Sequence, residues 1–364
     1  MRVLIINSVC GIGSTGRICA ELAENFERNG DQVKIAYGRS DTVPEKYRKY
    51  AIRIGNNIGV KFNALKARLF DNEGLNAIKA TERFLEWASG FDPDLLWLHN
   101  LHGYYVNYEL LFKWIKSRPN MQVKWTLHDC WAFTGHCTYF SFEKCYRWET
   151  QCCDCPQIRR YPKAFKDNSV KNFKRKKAAF TGVKDMTVIT PSKWLADLVG
   201  RSFLKEYKID VCYNTIDTSV FKPTPSDFRQ KYGLEKKKII LGVASVWNER
   251  KGFSDFLKLS KMLDDEYCIV LVGLSDKQIK DLPENIVGVT HTNNATELAE
   301  IYSAADVFVN LTYEDNYPTV NLESQACGTP CITYRTGGSV ESVPKENVVE
   351  QGDLNEIVRL LQNF

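Results

Sequence analysis

The sequence predicts an α/β protein of two domains, each with a largely parallel, doubly wound sheet. Apolar runs of strand length alternate with amphipathic stretches of helical length along the chain. The alternation is interrupted once, by a turn-rich segment with Pro223 and Pro225 that a run of lysines follows, and then it starts again. A length of 364 residues suits two domains. We expect them at residues 1–215 and 216–364.

The first half opens with a β-α-β unit. Val3 to Asn7 predicts a strand, Ile18 to Phe26 a helix that ends at Asn29-Gly30, and Asp31 to Tyr37 a second strand. Further strands are expected at 95–98, 123–127 and 186–190. In the second half, strands are predicted at 239–246, 268–272, 305–311 and 331–334, with helices at 252–263 and 297–304. Two Rossmann-like domains should therefore face each other across a cleft.

The composition excludes several classes of protein. Hydrophobic residues make up 44% and charged residues 26%, and the net charge of +5 is too small to indicate nucleic acid binding. No apolar run approaches the roughly 20 residues of a membrane-spanning helix. The first residues predict a strand rather than a signal segment. We expect a cytoplasmic protein, with peripheral contact at the inner face of a membrane left open.

Two carboxylates, Asp315 and Glu323, lie eight residues apart where a buried strand gives way to a helix. Ligands bind at this edge of an open α/β sheet, and a helix N-terminus there offers N–H groups and a positive dipole end to phosphate. The turn between the acids, Asn316-Tyr317-Pro318-Thr319, presents further N–H groups, although Pro318 has none. The spacing alone is weak, because acids also favour the first turn of solvated helices.

Arg250 and Lys251 follow the first strand of the second domain, directly before Gly252. Two cations beside a helix N-terminus suit a leaving diphosphate, because they stabilise its developing negative charge without a metal. The alternative is a solvated basic turn.

Histidines end two strands of the first domain. His128-Asp129 ends one strand, and His99 and His102 follow another. A neutral imidazole at such an edge can donate a hydrogen bond to a ligand hydroxyl, and Asp129 is placed to orient it. A lone histidine is more often structural, but its position at a strand end favours a functional role for His128.

Gly11-x-Gly13-x-x-Gly16 matches the dinucleotide-binding fingerprint literally. That fingerprint also needs an acid at the tip of the second strand, and this strand ends at Arg39 instead. Arg39 would suit a 2′-phosphate, so an NAD(P)-dependent enzyme acting on nucleotide sugars is the alternative function. No Tyr-x-x-x-Lys pair supports it at a strand end. A tight turn that needs glycine explains the motif equally well.

Together these motifs resemble the retaining GT-B glycosyltransferases of family 4 (group 1), of the bacterial surface-polysaccharide type. The resemblance runs in order along nearly the whole chain and includes Pro191-Ser192-Lys193-Trp194 and Asn214-Thr215-Ile216-Asp217. Asp315 replaces the first Glu of the paired acids in the family. The usual Arg of the phosphate loop falls at Ala244 or Ser245 here, and Arg250 is its candidate substitute.

The resemblance implies a transferase that moves a sugar from a nucleoside-diphosphate donor to a lipid-linked glycan acceptor, without a catalytic metal. His128 and Asp315 would hold the sugar, while Arg250 and Lys251 would stabilise the leaving diphosphate and Glu323 would hold the ribose. The donor would also meet the two loops formed by Gly13, Ser14, Thr15, Asn316, Tyr317, Pro318 and Thr319. An epimerase of the same fold and a sugar-binding module without activity are the alternatives.

Five of the twelve cysteines fall between Cys137 and Cys155, in a predicted insertion at about 130–160. In a reducing compartment such a cluster favours a metal, and Cys152-x2-Cys155 has the spacing of a zinc knuckle. We predict a structural zinc on Cys137, Cys145, Cys152 and Cys155, with His136 as an alternate ligand. Disulfides or free thiols are the alternative.

The basic run Lys171–Lys177 contains one aromatic residue, Phe173. It predicts either an ordinary solvated helix face or a contact with anionic lipid that carries the acceptor.

Overall fold

The computed structural model describes residues 1–364, and the chain divides into two compact units, Met1–Cys212 and Tyr213–Phe364. The predicted boundary lies a few residues later. Each unit contains one sheet in which every strand pair is parallel. The predicted doubly wound α/β fold is therefore confirmed in both halves of the chain.

The first unit has a seven-stranded sheet. Its strands are β1 (Arg2–Ile6), β2 (Gln32–Tyr37), β3 (Ala51–Arg53), β4 (Leu95–Leu98), β5 (Gln122–Thr126), β6 (Met186–Thr190) and β7 (Lys208–Val211). Its helices are α1 (Gly13–Arg28), α2 (Asn57–Phe70), α3 (Ile78–Phe91), α4 (Tyr108–Lys116), α5 (Ser169–Phe180) and α6 (Lys193–Arg201). The strand order is β3-β2-β1-β4-β5-β6-β7.

The second unit has a six-stranded sheet in the order β10-β9-β8-β11-β12-β13. Its strands are β8 (Lys238–Val243), β9 (Tyr267–Val272), β10 (Ile286–Val289), β11 (Val307–Asn310), β12 (Cys331–Tyr334) and β13 (Val348–Val349). Its helices are α7 (Phe228–Tyr232), α8 (Phe253–Leu259), α9 (Asp276–Lys280), α10 (Ala295–Ala304), α11 (Thr319–Ala326) and α12 (Leu354–Leu361).

Each sheet is buried on both faces. Because alternate residues of a strand point to opposite sides, each strand contributes side chains to two apolar cores. In β1, Leu4 and Ile6 belong to one apolar core, whereas Val3 and Ile5 belong to another. In the second unit, Ile240 belongs to one apolar core and its neighbour Ile239 belongs to another. This explains why the strands are almost continuously apolar in sequence.

Strand order reverses between β1 and β4 in the first unit, and between β8 and β11 in the second. At such a switch point the loops that follow the two strands diverge, which opens a crevice at the carboxyl ends of the strands. The predicted glycine-rich loop follows β1, and the predicted histidines follow β4 and β5. The predicted cations follow β8 and Asp315 follows β11.

The cysteine-rich insertion has no long helix or strand, only short 3₁₀ turns at Trp131–Phe133 and Arg147–Glu149. Aromatic residues hold it on the core of the first unit: the ring centroids of Phe133 and Trp148 lie 5.1 Å apart, and both side chains are buried. No helix in the structure combines the length and apolar character needed to cross a membrane.

Candidate active site

The loops that follow β8 and β11 are joined by two hydrogen bonds, each to a backbone carbonyl. The N–H of Tyr313 donates to the carbonyl of Arg250 at 2.8 Å, and Nη1 of Arg250 donates to the carbonyl of Glu314 at 3.0 Å. The predicted cationic loop and the predicted acidic segment, 64 residues apart, thus form one structure at the switch point of the second unit.

Lys251 and Asp315 meet in an ion pair. Nζ of Lys251 lies 2.5 Å from Oδ2 of Asp315, and the two side chains are 23% and 18% exposed. The other carboxylate oxygen accepts from the N–H of Asn316 at 2.9 Å. Both charges therefore remain reachable from solvent while each is held in place. An incoming anion can compete with Asp315 for Lys251, because part of each side chain is in contact with solvent.

Glu323 lies in the second turn of α11 and is almost fully buried. Its Oε2 accepts a hydrogen bond of 3.2 Å from the hydroxyl of Tyr302, on the buried side of α10. Burial raises the pKa of Tyr302, and the neighbouring carboxylate raises it further. Tyr302 therefore stays protonated and orients Glu323. No sequence pattern marks Tyr302 for this role.

The turn before α11 is packed rather than open. Asn316 is buried, the ring of Tyr317 lies 4.9 Å from that of Tyr213, and the carbonyl of Tyr317 accepts from Asn214 at 2.9 Å. Pro318 precedes the first helical residue, Thr319, and supplies no side-chain cap. These four predicted residues shape the start of α11, and only their backbone and Thr319 are suited to ligand contact.

A buried amide network anchors α11 and was not predicted. Asn321 accepts from Asn310 at 2.8 Å and donates to the hydroxyls of Ser339 and Ser342 at 3.1 and 2.9 Å. Because every partner is buried, these bonds fix the helix against β11 and the 3₁₀ turn Ser339–Ser342. The only sequence signal was an asparagine at the end of a buried strand.

The glycine-rich loop after β1 makes a tight turn into α1. The helix begins at Gly13, earlier than predicted, so Gly13, Ser14 and Thr15 form its first turn. Gly11 has φ +70°, and a Cβ there would lie 2.4 Å from the ring of Tyr47. Asn7, which ends β1 and was not predicted, donates to the hydroxyl of Thr15 at 3.3 Å.

His99 and His128 bring the ends of β4 and β5 together. Nδ1 of His99 lies 3.0 Å from Nε2 of His128, with the ring centroids 5.3 Å apart. Burial lowers the pKa of His128 to about 4 and also lowers that of His99. Both rings are therefore neutral near pH 7, and one donates to the other. The structure thus provides the neutral imidazole that the predicted role of His128 requires.

His102 forms a second pair with Asp129. Nε2 of His102 lies 2.9 Å from Oδ2 of Asp129, and Nδ1 lies 3.1 Å from the hydroxyl of Tyr161. Burial favours the neutral ring, but Asp129 outweighs this and raises the pKa of His102. Tyr161 comes from the end of the cysteine-rich insertion, so this segment reaches the strand-end histidines.

Glu73 supports the His102 loop and was not predicted. Its Oε1 accepts from the N–H groups of Gly103 and Tyr104 at 2.5 and 3.2 Å, and burial raises the pKa of this carboxyl group. Glu73 lies in a short loop whose sequence carries no recognisable motif.

The five clustered cysteines line one cavity together with His136, Phe140 and Trp148. All twelve cysteines are free thiols, and no three Cys, His, Asp or Glu side chains of the chain are arranged to share a metal ion. Nδ1 of His136 lies 2.5 Å from Oδ1 of Asp71, whereas its buried Nε2 has no hydrogen-bond partner. Zinc on Cys137, Cys145, Cys152 and Cys155 remains a prediction.

The basic run on α5 is less exposed than its sequence suggests. Lys176 is buried, donates to the carbonyl of Trp131 at 2.6 Å and lies 3.6 Å from the centroid of that ring. Arg175 pairs with Glu109 at 2.5 Å. Only Lys171, Lys174 and Lys177 are exposed, so the structure favours an ordinary helix face with its own internal partners.

Comparison with known proteins identifies the family. The profile described as Glycosyltransferase Family 4 matches residues 15–220, and that of Glycosyl transferases group 1 matches residues 226–364. A relative named putative colanic acid biosynthesis glycosyl transferase WcaC, from Escherichia coli K12, is 22% identical over 374 residues, which covers 99% of this chain and 90% of the relative.

Solved structures agree on the fold. Sucrose-phosphate synthase from Thermosynechococcus elongatus has a TM-score of 0.69 at 17% identity, and Anabaena HepE in complex with UDP-glucose has a TM-score of 0.66 at 14% identity. Each alignment covers 100% of this chain and 89% of the other. The family match decides against the NAD(P)-dependent alternative. The chain belongs to glycosyltransferase family 4, as a GT-B enzyme of the group 1 glycosyltransferases.

Proposed function

We propose that the protein transfers a sugar from a nucleoside-diphosphate donor to a lipid-linked glycan acceptor, with retention of anomeric configuration, in the assembly of a surface polysaccharide. The name of the Escherichia coli relative supports the polysaccharide, and the UDP-glucose held by the Anabaena protein supports the donor class. The observation that carries the proposal is the meeting of Arg250, Lys251 and Asp315 at the switch point of the second unit.

The donor diphosphate is assigned to Arg250, Lys251 and the first turn of α11. When it binds, its oxygens compete with Asp315 for the ammonium of Lys251. They also accept hydrogen bonds from backbone N–H groups at the positive end of the helix dipole. As the bond from the anomeric carbon to the diphosphate oxygen breaks, negative charge grows on that oxygen. Fixed cations stabilise this charge better than water does, because they need no reorganisation during the step.

We propose roles for Glu323 and Asp315 toward the rest of the donor. Glu323, oriented by Tyr302, accepts hydrogen bonds from the ribose hydroxyls. Asp315, released from Lys251, accepts from a hydroxyl of the sugar. The acceptor oxygen then bonds to the anomeric carbon on the face that the diphosphate leaves, and its proton passes to the departing diphosphate. Because the acceptor attacks the same face that the diphosphate leaves, the anomeric configuration is retained.

In the first unit, His128 is assigned to a sugar hydroxyl. Its depressed pKa of about 4 keeps the ring neutral, so it can donate or accept a hydrogen bond as an uncharged group. Gly13, Ser14 and Thr15 offer the N–H groups of the first turn of α1 to phosphate.

The test is a panel of UDP, GDP, dTDP and ADP sugars with purified protein and no added metal, scored by release of nucleoside diphosphate. We expect release from one donor, and its loss in Glu323→Gln. Glu284→Gln, which changes an exposed glutamate in the same unit, should keep it. Equal release by Glu323→Gln and wild type would refute the assigned ribose contact. If no donor released nucleoside diphosphate and the protein bound NADPH measurably, the transferase proposal would be refuted.

A further inference from the structure

A buried carboxylate, Asp255, lies on helix α8 one turn after the cationic loop, and its side chain is only 2% exposed. The hydroxyls of Tyr313 and Tyr334 both donate to its Oδ2, at 2.5 and 3.0 Å. Nζ of Lys258 lies 2.9 Å from its Oδ1. Burial favours the neutral carboxyl group, but these three donors outweigh burial and lower the pKa of Asp255. Asp255 is therefore an ionised group with a buried side chain.

A buried charge at this position needs an explanation. The other side chains on the inner face of α8 are apolar, and Phe256 and Leu259 are fully buried there. Apolar side chains of similar volume often stabilise a fold as well as buried charged groups do, or better. Asp255 is therefore explained better by the residues that it contacts than by the stability of α8 alone.

The two tyrosines that bind Asp255 belong to different parts of the second unit. Tyr313 lies two residues before Asp315, and its N–H donates to the carbonyl of Arg250 at 2.8 Å. Tyr334 ends β12 and pairs with β13 in the sheet. The carboxylate oxygen of Asp255 thus accepts one hydrogen bond from the candidate active site and one from a strand of the sheet.

Two side-chain contacts join the chain around the start of α8 to the acidic segment. Lys251 pairs with Asp315 at 2.5 Å. Four residues further along the chain, Asp255 binds Tyr313, which lies two residues before Asp315. The four residues and the backbone between them form a closed ring. Such a ring restricts the ammonium of Lys251 more than the ion pair does alone, because a partly exposed pair separates easily.

Between these two contacts the chain passes very close to the end of β11. A Cβ added to Gly252 would lie 2.2 Å from the carbonyl oxygen of Leu311. Because backbone lies directly on backbone here, a change in the position of the acidic segment also changes the position of the cationic loop.

We propose that Asp255 is a positioning residue, which acts through Tyr313 to hold Lys251 and Asp315 in the arrangement that receives the donor diphosphate. The inference rests on the proposed function, because it assigns further residues to the support of that site. Asp255 and Tyr313 are assigned no contact with the donor. Their removal should therefore affect the rate of the chemical step more than the affinity for the donor.

Tyr313→Phe tests this role, because it removes one hydroxyl and keeps the ring. We expect kcat for release of nucleoside diphosphate to fall about tenfold with KM for the donor within about twofold of wild type, since a small displacement of a charge-stabilising group acts mainly on the transition state. The measurement is the initial rate over a range of concentrations of the active donor.

Tyr334→Phe is the matched control. It removes the other hydroxyl from the same oxygen of Asp255, so the two variants should have similar Tm values, but Tyr334→Phe should keep the wild-type kcat. A role of Asp255 in stability alone predicts that the two variants have the same kcat. Equal kcat values in Tyr313→Phe and Tyr334→Phe would therefore overturn the proposal.

A second measurement needs no donor. The rate at which acetic anhydride acetylates Lys251, read by mass spectrometry of the peptide, reports how firmly its ammonium is held. We expect this rate to rise about threefold in Tyr313→Phe, as loss of a partly exposed ion pair predicts, and to be unchanged in Tyr334→Phe. Lys277, exposed in the same unit, is the internal reference and should react equally in all three proteins. An unchanged rate at Lys251 in Tyr313→Phe would contradict the proposal.

The two measurements separate failure of this inference from failure of the proposed function. If wild type releases no nucleoside diphosphate from any donor, acetylation of Lys251 still decides whether Tyr313 holds it in place. If wild type releases nucleoside diphosphate and Tyr313→Phe does so at the same kcat, the transferase stands and the positioning role of Asp255 is refuted.

Discussion

Lys251 and Asp315 illustrate how single residues of the site are held before a ligand binds. Each is partly exposed, and each neutralises the other at 2.5 Å. The ion pair holds the ammonium of Lys251 at the segment before α11, where we propose that the diphosphate binds. Spacing along the sequence predicted both residues separately, but not their contact.

Removing the cation of Lys251 should lower the rate of the chemical step. We expect Lys251→Ala to lower kcat by on the order of a hundredfold, which is typical for loss of one group that stabilises developing charge. Lys277→Ala, at an exposed position in the same unit, is the control and should retain wild-type kcat. The measurement is the steady-state rate of nucleoside diphosphate release. An unchanged kcat in Lys251→Ala would contradict the role assigned to its charge.

Tyr302 should act on donor binding rather than on chemistry. Tyr302→Phe removes the hydroxyl that orients Glu323 and keeps the buried ring. We expect KM for the donor to rise about tenfold at nearly constant kcat, since a hydrogen bond to a charged group contributes about 1.5–3 kcal/mol. Initial rates over a range of donor concentrations give both constants. A fall in kcat with unchanged KM would place Tyr302 in the chemical step instead.

His128 should destabilise the fold in acid. Its pKa is about 4 in the folded chain, below the ordinary value near 6.5. Between about pH 4 and 6.5 the residue is therefore protonated in the unfolded chain and neutral in the folded chain. The free energy of unfolding should therefore fall as pH decreases from about 6.5 to 4, by at most about 1.4 kcal/mol per pH unit for this residue. Urea unfolding of wild type and His128→Gln at several pH values measures it. Parallel pH profiles would contradict the depressed pKa.

At the scale of elements, the sequence was most informative where a strand is buried on both faces. Runs such as Val3–Ile6 and Cys268–Val272 are apolar throughout, and both predicted strands are present. The boundaries were predicted less well: α1 begins at Gly13, inside the glycine-rich loop, where Gly13 has a positive φ that glycine adopts readily. Helix α2 was not predicted, since its exposed face is as apolar as its inner side.

Buried polar partners could not be predicted from the sequence. Asn7, Glu73 and Tyr302 come from different elements and meet their partners only through the tertiary fold. Asn310 and Asn321 are eleven residues apart but face each other because β11 and α11 pack together. A hydrogen-bonding side chain has no periodicity that reveals its partner, whereas strand ends and glycine turns do leave a pattern. The sequence therefore predicted the loops of the site but not the buried residues that support them.

The cysteine-rich insertion carries a prediction of its own. His136 is held by Asp71 through Nδ1 and leaves Nε2 unpartnered, an arrangement that resembles a metal-ligating histidine with its carboxylate support. We expect about one zinc per chain after purification without chelator, as a closed structural site would hold. Cys155→Ser should lose the metal, whereas Cys212→Ser, at an exposed cysteine outside the insertion, should keep it. Metal analysis that finds a negligible fraction of zinc in wild type would leave disulfides or free thiols.

At the scale of the whole molecule, both units use the same strand order around a switch point. Each unit therefore places its candidate residues by topology, with phosphate-binding loops and strand-end side chains gathered where the order reverses.

The central claim is that this chain transfers a sugar with retention. The measurement that tests it most directly is proton NMR of the reaction with the active donor, which records the anomeric configuration of the first sugar released or transferred. We predict that this sugar has the configuration it had in the donor and is not formed by Glu323→Gln. A first product of inverted configuration would contradict the front-face mechanism and require a base on the opposite side of the sugar ring.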